Sequence, residues 1–279
     1  MNLKKMAALA ASAVMALSLA ACGGSADNAG DGGAQGDGAA ASTEKAAGDT
    51  FTVGFDANFP PYGYKDEATG EYVGFDLDLA AEVAKRNGWE YKAQPIDWDA
   101  KDMELDSGTI DVIWNGFTMN GREDAYTWSQ PYVDNSIVFV VKADSGIESA
   151  ADLAGKAVLV QADSSGLAAV EDEANAELVG TFASLEQVPD YNTAFMTMES
   201  GAADAVVVDQ GVANYQLKQR GDAFKQLAEP LQVEQYAVGF KLGNEALRDQ
   251  VQATLDEIKA DGTFMQLAEK YEIQDAVIQ

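Results

Sequence analysis

Along residues 50–279, short apolar runs alternate with amphipathic runs, and this alternation constrains the fold more than any other feature of the sequence. The runs that we predict as strands are 51–55, 111–114, 137–141, 157–160, 205–208 and 237–240. The runs that we predict as helices are 76–87, 100–106, 165–176, 192–199, 211–220, 245–259 and 263–271. Apolar strands between amphipathic helices predict an α/β fold with buried, largely parallel sheets.

Two segments within this body resemble each other. Residues 103–113 and 196–206 align without a gap, and each contains a helix end, a glycine turn, an aspartate and an apolar strand. Coincidence is one explanation, because glycine follows many helices. The spacing favours another, in which two lobes of about 100–130 residues each carry an equivalent unit.

The residues that directly follow the two similar segments are candidates for a binding site. In open α/β sheets, ligands bind beyond the carboxyl ends of the strands. The candidates are Asn115, Gly116 and Thr118 after the first segment and Asp209 after the second.

The N-terminus carries Cys22, the only cysteine of the chain. It ends the run Leu-Ser-Leu-Ala-Ala-Cys behind a basic start and an apolar stretch at 6–19. This layout is typical of a secretory signal, and the stretch is shorter than the about 20 strongly apolar residues of a membrane-spanning helix. The run resembles the lipobox of bacterial lipoproteins.

The alternative for Cys22 is a buried thiol in a core helix, which would require an ordered domain around it. Residues 23–48 are instead rich in Gly, Ala, Ser, Asp and Asn, and such a segment buries too little apolar surface to offset the entropy of ordering. We therefore predict a signal peptide at 1–21 and a lipidated flexible tether at 22–49. The protein would then be extracytoplasmic and anchored to the bacterial cell membrane through Cys22.

The charge of the chain argues against several classes of partner. The formal net charge is −28, whereas nucleic acids and anionic lipid headgroups are bound by basic patches. The chain has no histidine, the commonest metal ligand and a common general base. We therefore expect no nucleic-acid partner, no metal and no cofactor, and we interpret the acidity as a solubility feature.

Several motifs in the body carry a family resemblance. Gly-Phe-Asp-Leu-Asp-Leu at 74–79 is followed by Val83, Ala84 and Asn87. The other motifs are Phe-Pro-Pro-Tyr at 59–62, Trp-Asn-Gly-Phe-Thr at 114–118 leading to Arg122, Trp-Ser-Gln-Pro-Tyr at 128–132, and Asp-Ala-Val-Val-Val-Asp at 204–209. Together they resemble the family 3 extracytoplasmic solute-binding proteins, which deliver polar amino acids to ABC importers.

The resemblance implies a two-lobed periplasmic-binding-protein-like fold. The lobes would be 50–136 with 234–279, and 137–233, joined by hinge crossings near 132–136 and 233–237. The ligand would be a free L-amino acid held between the lobes, because contacts from both lobes favour a closed form. The closed form would dock, as a monomer, on the permease of an importer.

The positions that match the family suit an amino-acid ligand. An α-carboxylate requires donors in a fork geometry, which arginine supplies, and Arg122 is the candidate, with Thr118, Asn115 and Gly116 beside it. Here the family usually has Thr-x-Thr-x-x-Arg, whereas this chain has Thr-Met-Asn-Gly-Arg at 118–122. The loop must therefore reach the same place by a shorter path. The alternative for Arg122 is a surface ion pair with a neighbouring acid.

The second lobe supplies the remaining polar candidates. Gln161, Ser164 and Ser165 lie between a predicted strand and helix, so that hydroxyls and helix N-terminal amides can bind the same anion. Asp209 would bind the α-ammonium group, although aspartate is also a common N-cap of the kind the helix at 211 needs. Asp163, where related sequences often carry glycine, would attract a cationic side chain or cap the following helix.

The resemblance also places Asp56, Phe59, Tyr62 and Trp98 around the ligand's side chain, with aromatic rings as a clamp. Without the resemblance, such aromatic residues would be assigned to the core. Because the amide of Gln161 both donates and accepts hydrogen bonds, we expect neutral polar side chains to bind best, basic ones second and acidic ones last.

Two other functions compete with this one on the same fold. A sensor would need an attached membrane or signalling segment, and an enzyme such as a dehydratase would need an acid or base in the cleft. The lack of histidine weakens the enzyme hypothesis without removing Asp and Glu. We therefore expect a binding protein and no enzyme.

Overall fold

The computed structural model describes residues 44–279, so the predicted signal peptide, Cys22 and most of the predicted tether lie outside the described residues. The end of the predicted tether contacts the body. Lys45 donates its amide to Gln250 Oε1 at 3.0 Å and pairs its ammonium with Asp111 at 2.8 Å. The boundary between tether and body at 49/50 stays a prediction.

The described residues form fourteen strands and eight α-helices. The strands are β1 (Thr50–Phe55), β2 (Asn58–Phe59), β3 (Gly63–Lys65), β4 (Tyr72–Val73), β5 (Glu90–Pro95), β6 (Val112–Ile113), β7 (Thr127–Trp128), β8 (Val133–Lys142), β9 (Ala157–Gln161), β10 (Ser184–Val188), β11 (Ala205–Asp209), β12 (Phe224–Gln226), β13 (Gln232–Tyr236) and β14 (Gly239–Phe240). The helices are α1 (Phe75–Asn87), α2 (Lys101–Ser107), α3 (Ser165–Glu171), α4 (Ala176–Val179), α5 (Tyr191–Ser200), α6 (Gln210–Arg220), α7 (Glu245–Ala260) and α8 (Thr263–Lys270).

The strands form two main sheets, one in each of two lobes, as the α/β pattern predicts. Lobe 1 holds the order β5-β1-β6-β14-β7, and lobe 2 holds β10-β9-β11-β8-β12, with β13 also paired to β8. Both sheets are mixed: β14 is antiparallel to β6 and β7, and β8 is antiparallel to β11, β12 and β13. A small antiparallel sheet, β2-β3-β4, lies apart from them.

The two similar sequence segments form the same structure in both lobes. Helices α2 and α5 each end at a left-handed glycine, Gly108 with φ 76° and Gly201 with φ 81°. The aspartate that follows accepts a backbone N–H from a neighbouring strand, Asp111 from Thr52 of β1 at 2.7 Å and Asp204 from Ala157 of β9 at 2.9 Å. The next strand then pairs in parallel with that neighbour, β6 with β1 and β11 with β9. The internal similarity is therefore a structural repeat.

Two neighbouring strands connect the lobes. β8 starts five residues after β7 and enters the sheet of lobe 2, and β13 leaves that sheet shortly before β14. The two strands pair antiparallel, from Gln232 opposite Ile137 to Tyr236 opposite Val133. This arrangement agrees with the predicted crossings near 132–136 and 233–237, and the lobe limits at 136/137 and 233/234 stay a prediction.

Some elements differ from the sequence prediction. The helix predicted at 165–176 breaks at Asp172, whose extended backbone and side-chain bond to the amide of Ala174 end α3 and start a short 3₁₀ turn. β5 and β10 were not predicted because their sequences are polar. Each lies at the edge of its sheet, where one side of a strand is free and no apolar run is required.

Within residues 44–279, no helix combines the length and the apolar character that crossing a membrane requires.

Candidate functional site

A small cavity of about 10 Å³ lies between the lobes, and nine of the predicted site residues line it. These residues are Phe59, Trp98, Gly116, Thr118 and Arg122 from lobe 1 and Gln161, Ser164, Ser165 and Asp209 from lobe 2. A space of this size is about that of one water molecule. An amino acid can therefore enter only when the lobes move apart, and the residues of both lobes would then close around it.

Arg122 reaches the cavity through a tight turn. Its amide donates to the carbonyl of Met119 at 2.9 Å, and Gly121 supplies the positive φ of 77° that such a turn requires. The guanidinium lies 5.2 Å above the ring of Phe117 and donates to the carbonyls of Thr118 and Asp163. Among the described residues it pairs with neither Glu123 nor Asp124, so the surface ion pair considered above does not form. The shorter loop thus brings Arg122 back over Thr118.

Asp209 ends β11 and is fully enclosed. Its Oδ1 accepts hydrogen bonds from Tyr236 Oη at 2.7 Å and Asn135 Nδ2 at 2.9 Å, and its Oδ2 accepts one from Tyr191 Oη at 3.2 Å. Although Asp209 precedes α6, its side chain makes no capping bond to that helix. The helix-cap alternative is therefore wrong, and burial raises the pKa of this carboxyl group.

Thr118 and Ser165 face each other across the cleft, and both are bonded to a residue that the sequence analysis did not identify. Thr118 Oγ1 donates to Glu234 Oε1 at 2.7 Å, and Ser165 Oγ donates to the same oxygen at 3.1 Å. Burial first, and then the nearby charge of Asp209, raise the pKa of Glu234 to about 7. Because both hydroxyls donate to Glu234 Oε1, their hydrogens point away from the cavity.

Asp56 and Asn115 contact the cavity residues from behind rather than lining the cavity. Asp56 Oδ2 accepts from Gln161 Nε2 at 2.7 Å, which joins the two lobes, and the amide of Asp56 donates to Asn115 Oδ1 at 2.9 Å. Burial raises the pKa of Asp56 to about 6. The predicted site residues therefore lie together, but Asp56 and Asn115 lie behind those that line the cavity, where these hydrogen bonds hold them.

Asp163 spans the cleft from lobe 2, at a left-handed φ of 55° that a glycine adopts without strain. Its carboxylate pairs with Lys101, a buried lysine at the start of α2, whose ammonium lies 5.4 Å from the ring of Trp98. The cap of α3 is Ser164, whose Oγ accepts from the amide of Leu167 at 3.0 Å. Asp163 is therefore an interlobe partner of Lys101 and not the cap of the helix.

Five polar residues around the cavity were not predicted from the sequence: Glu234, Asn135, Tyr191, Tyr236 and Lys101. Asn135 and Glu234 lie on β8 and β13, the two strands that connect the lobes. Asn135 follows the exposed Asp134, and Glu234 follows the exposed Val233, so that in an alternating strand both side chains point inward. A polar residue at an inward position of a predicted crossing was therefore the available signal.

Comparisons with known proteins identify the family of the chain. Residues 51–274 match the family described as bacterial extracellular solute-binding proteins, family 3. The chain is 30% identical over 256 residues to the L-cystine-binding protein TcyA of Bacillus subtilis, an alignment that covers 91% of each chain. It is 29% identical over 225 residues to the L-cystine-binding protein TcyJ of Escherichia coli, covering 80% of this chain and 82% of that protein.

Solved structures show the same fold. The structure of an ABC uptake transporter substrate-binding protein from Streptococcus pneumoniae with bound histidine is 34% identical, with a TM-score of 0.78 over 82% of this chain and 95% of that one. An ancestral amino-acid-binding protein, described as a precursor of cyclohexadienyl dehydratase, is 30% identical, with a TM-score of 0.72 over 80% of this chain and 95% of that one.

Proposed function

We propose that this chain, which belongs to family 3 of the bacterial extracellular solute-binding proteins, binds a free L-amino acid between its lobes as the extracytoplasmic receptor of an ABC importer. The observation that carries the proposal is the pair of opposite charges on one cavity, Arg122 from lobe 1 and Asp209 from lobe 2. The fork of a guanidinium fits a carboxylate, and a buried carboxylate fits an ammonium group. An α-amino acid carries both groups on one carbon atom.

The backbone at the cavity also suits an amino-acid ligand. Gly116 lines the cavity with a φ of 57°, and a Cβ at this position would lie 2.5 Å from the ring of Phe59. The glycine therefore lets the backbone and the ring of Phe59 approach the ligand together. Ser165, the first residue of α3, lines the cavity on the side of lobe 2.

Binding calorimetry with ligand analogues tests this function. An L-amino acid should bind, whereas analogues without the carboxylate or without the amine should bind far more weakly. An unpaired buried charge costs on the order of 2–5 kcal/mol, which corresponds to a loss of roughly 30-fold to several thousand-fold in affinity. A decarboxylated analogue that binds as tightly as its parent amino acid would contradict the assignment of Arg122.

The variant Arg122→Lys tests the fork geometry separately from the charge. We expect it to weaken binding of the amino acid by at least about tenfold, because lysine cannot make two parallel hydrogen bonds to a carboxylate. Arg220→Lys is the matched control, since the Arg220 guanidinium also lies 5.2 Å above a phenylalanine ring but pairs with Glu199 far from the cavity. Equal affinities of the two variants would rule out a ligand role for Arg122.

We also propose an order of side-chain preference: neutral polar first, basic second and acidic last. Two carboxylates that would select a cation are already engaged, Asp163 by Lys101 and Asp56 by the amide of Gln161. The rings of Phe59 and Trp98 offer apolar walls of the cavity. Titration with glutamine, cystine, arginine and glutamate decides the order, and micromolar binding of glutamate alone would overturn it.

The location and state of the protein complete the proposal. Family 3 solute-binding proteins are extracytoplasmic, and we propose that a signal peptide at 1–21 and lipidation of Cys22 hold this chain at the membrane. We also propose that it acts as a monomer. Light scattering after gel filtration checks the second point, and a stable dimer at micromolar concentration would contradict it.

A dehydratase-type enzyme is the second candidate. The observation that favours it is Glu234, a buried carboxylate next to the cavity with a pKa of about 7, which suits a general acid at neutral pH. NMR spectra of each bound amino acid, recorded over hours, distinguish the two functions. Unchanged ligand signals support the binding protein, and a new product signal would support the enzyme.

A further inference from the structure

Glu234 is a buried carboxylate held between the lobes. It lies on β13, one of the two connecting strands, and is 3% exposed. Its Oε1 accepts hydrogen bonds from Thr118 of lobe 1, Ser165 of lobe 2 and Asn135 of the other connecting strand, at 2.7, 3.1 and 2.8 Å. Within residues 44–279, its Oε2 is buried without a hydrogen-bond partner. One oxygen is thus saturated, and the other lacks a donor.

A shared amide couples Glu234 to Asp209. Asn135 Nδ2 donates to Glu234 Oε1 at 2.8 Å and to Asp209 Oδ1 at 2.9 Å. The two carboxylates are therefore within the roughly 6 Å at which like charges strongly oppose each other's ionisation. Keeping both charged in a buried site is costly unless a cation lies beside them.

Hydroxyl groups surround Asp209 and Glu234, and among the described residues no cationic side chain forms an ion pair with either carboxylate. The other titratable groups that face the pair are the phenols of Tyr62, Tyr191 and Tyr236. Behind Tyr62 lies the carboxyl of Asp76. In the part of the chain that the structure describes, no lysine or arginine forms an ion pair with either carboxylate; the guanidinium of Arg122 bonds the carbonyl of Thr118 instead.

We propose that Asp209 and Glu234 together hold one proton, and that the ammonium group of the incoming amino acid displaces it, so that ligand capture releases a proton to the solvent. The inference rests on the proposed function. The O–H bond of the shared carboxyl group breaks, and its proton passes to water or buffer. The pair changes from one negative charge to two, and the ligand keeps its three ammonium hydrogens, one of which reaches the unpartnered Oε2 or Asp209.

Glu234 also sets the direction of the two hydroxyls at the cavity. Because Thr118 and Ser165 give their hydrogens to Glu234 Oε1, their lone pairs are the groups left to face a ligand. Lone pairs suit the hydrogens of an ammonium group rather than the oxygens of a carboxylate. Glu234 is thus a positioning residue for Thr118 and Ser165 and one half of the proton-holding pair.

Calorimetry in two buffers of different ionisation enthalpy measures the number of protons released. We use glutamine or arginine as the ligand, because neither has a side chain that titrates between pH 6 and pH 8. The wild-type protein should release about one proton per ligand at pH 6 and less than about half a proton at pH 8, because the free pair has lost its proton by then. As the pH rises, the apparent Kd should fall about tenfold per pH unit in the range where binding releases one full proton.

The variant Glu234→Gln keeps the size and the acceptor oxygen but cannot titrate. It should bind the ligand with little or no proton release at pH 6. Glu186→Gln, at an exposed carboxylate of the edge strand β10, is the matched control and should release as many protons as the wild type.

Each result decides the proposal. Identical binding enthalpies of the wild type in the two buffers at pH 6 would overturn the inference without the need for any variant. So would undiminished proton release by Glu234→Gln. Absence of binding by every amino acid at every pH would overturn the proposed function, and the inference with it, whereas binding without proton release overturns the inference alone.

Discussion

At the scale of single residues, Asp76 serves a helix and the binding site at the same time. It lies in the first turn of α1, where an acid is favoured by the helix dipole. It is nevertheless fully buried, and its Oδ2 accepts the backbone N–H of Gly116 at 2.6 Å. This bond holds the strand end that carries Gly116 against α1. Burial raises the pKa of Asp76 to about 7, although the Gly116 hydrogen bond lowers it.

This raised pKa predicts a dependence of stability on pH. Between its ordinary pKa of 3.8 and about 7, the folded protein keeps a proton on Asp76 that the unfolded chain releases. The free energy of unfolding should therefore fall as the pH rises through this window. One pKa unit corresponds to about 1.4 kcal/mol, so the loss between pH 4 and pH 7.5 is on the order of a few kcal/mol. Urea unfolding of the ligand-free protein at several pH values measures it.

The variant Asp76→Asn should lessen this fall in stability, because its amide oxygen still accepts from Gly116 but does not titrate, whereas Asp56 and Glu234 keep their raised pKa values. Asp78→Asn removes a carboxylate from the same turn of α1 and serves as the matched control. An Asp76→Asn variant whose stability falls with pH as steeply as that of the wild type would show that Asp76 is not protonated in the folded protein.

At the scale of secondary-structure elements, the start of α6 fits closely against lobe 1. Gly211 is the second residue of α6, and a Cβ at this position would lie 2.4 Å from Tyr62 Oη and 2.8 Å from Tyr62 Cε2. Tyr62 itself is buried between the lobes, with its ring edge-on to Tyr236 at 5.1 Å. The glycine therefore permits the approach of α6 to Tyr62 that accompanies the closed cleft.

The variant Gly211→Ala should weaken ligand binding without a matching loss of stability of the open protein. The added methyl group must push Tyr62 and α6 apart, and overpacking of this kind costs about 1–3 kcal/mol, or about 5- to 150-fold in affinity. Calorimetry gives the affinity, and urea unfolding without ligand gives the stability.

A second glycine in lobe 2 provides the control. At Gly166, in the first turn of α3, a Cβ would meet its nearest neighbours at 3.4 Å, which is an ordinary contact. Gly166→Ala should bind ligand nearly as well as the wild type. If Gly211→Ala binds equally well, then closure of the cleft does not depend on the contact between α6 and Tyr62.

At the scale of the whole molecule, we predict that the N-terminal segment sets the position of the protein in the cell. Cys22→Ala should release the protein from membranes, because acyl chains contribute about 0.8 kcal/mol per buried CH₂ and no helix within residues 44–279 is suited to cross a membrane. Fractionation of cells after a salt wash measures the release, with Cys22→Ala compared to the wild type. A variant that remains in the membrane fraction would refute lipid anchoring at Cys22.

The sequence by itself determined the α/β architecture, the repeat shared by the two lobes and most of the cleft residues. These features depend on local patterns: apolar runs for buried strands, left-handed glycines after α2 and α5, and motifs that place Asp209 at the end of β11 and Arg122 in the loop after β6. Such signals lie within a few residues of each other, so they can be recognised without knowing what packs against them.

Only the tertiary structure decided which polar side chains are buried together. In the sequence, Asp209 suits either an ammonium group or a helix cap, and in the structure its carboxylate accepts hydrogen bonds from Asn135, Tyr191 and Tyr236 instead of capping α6. Glu234 looks like an ordinary charge on a strand, yet it is enclosed by groups from both lobes. The cost of burying a charge depends on partners that are distant in the sequence, and the packing of the two lobes is what brings those partners together.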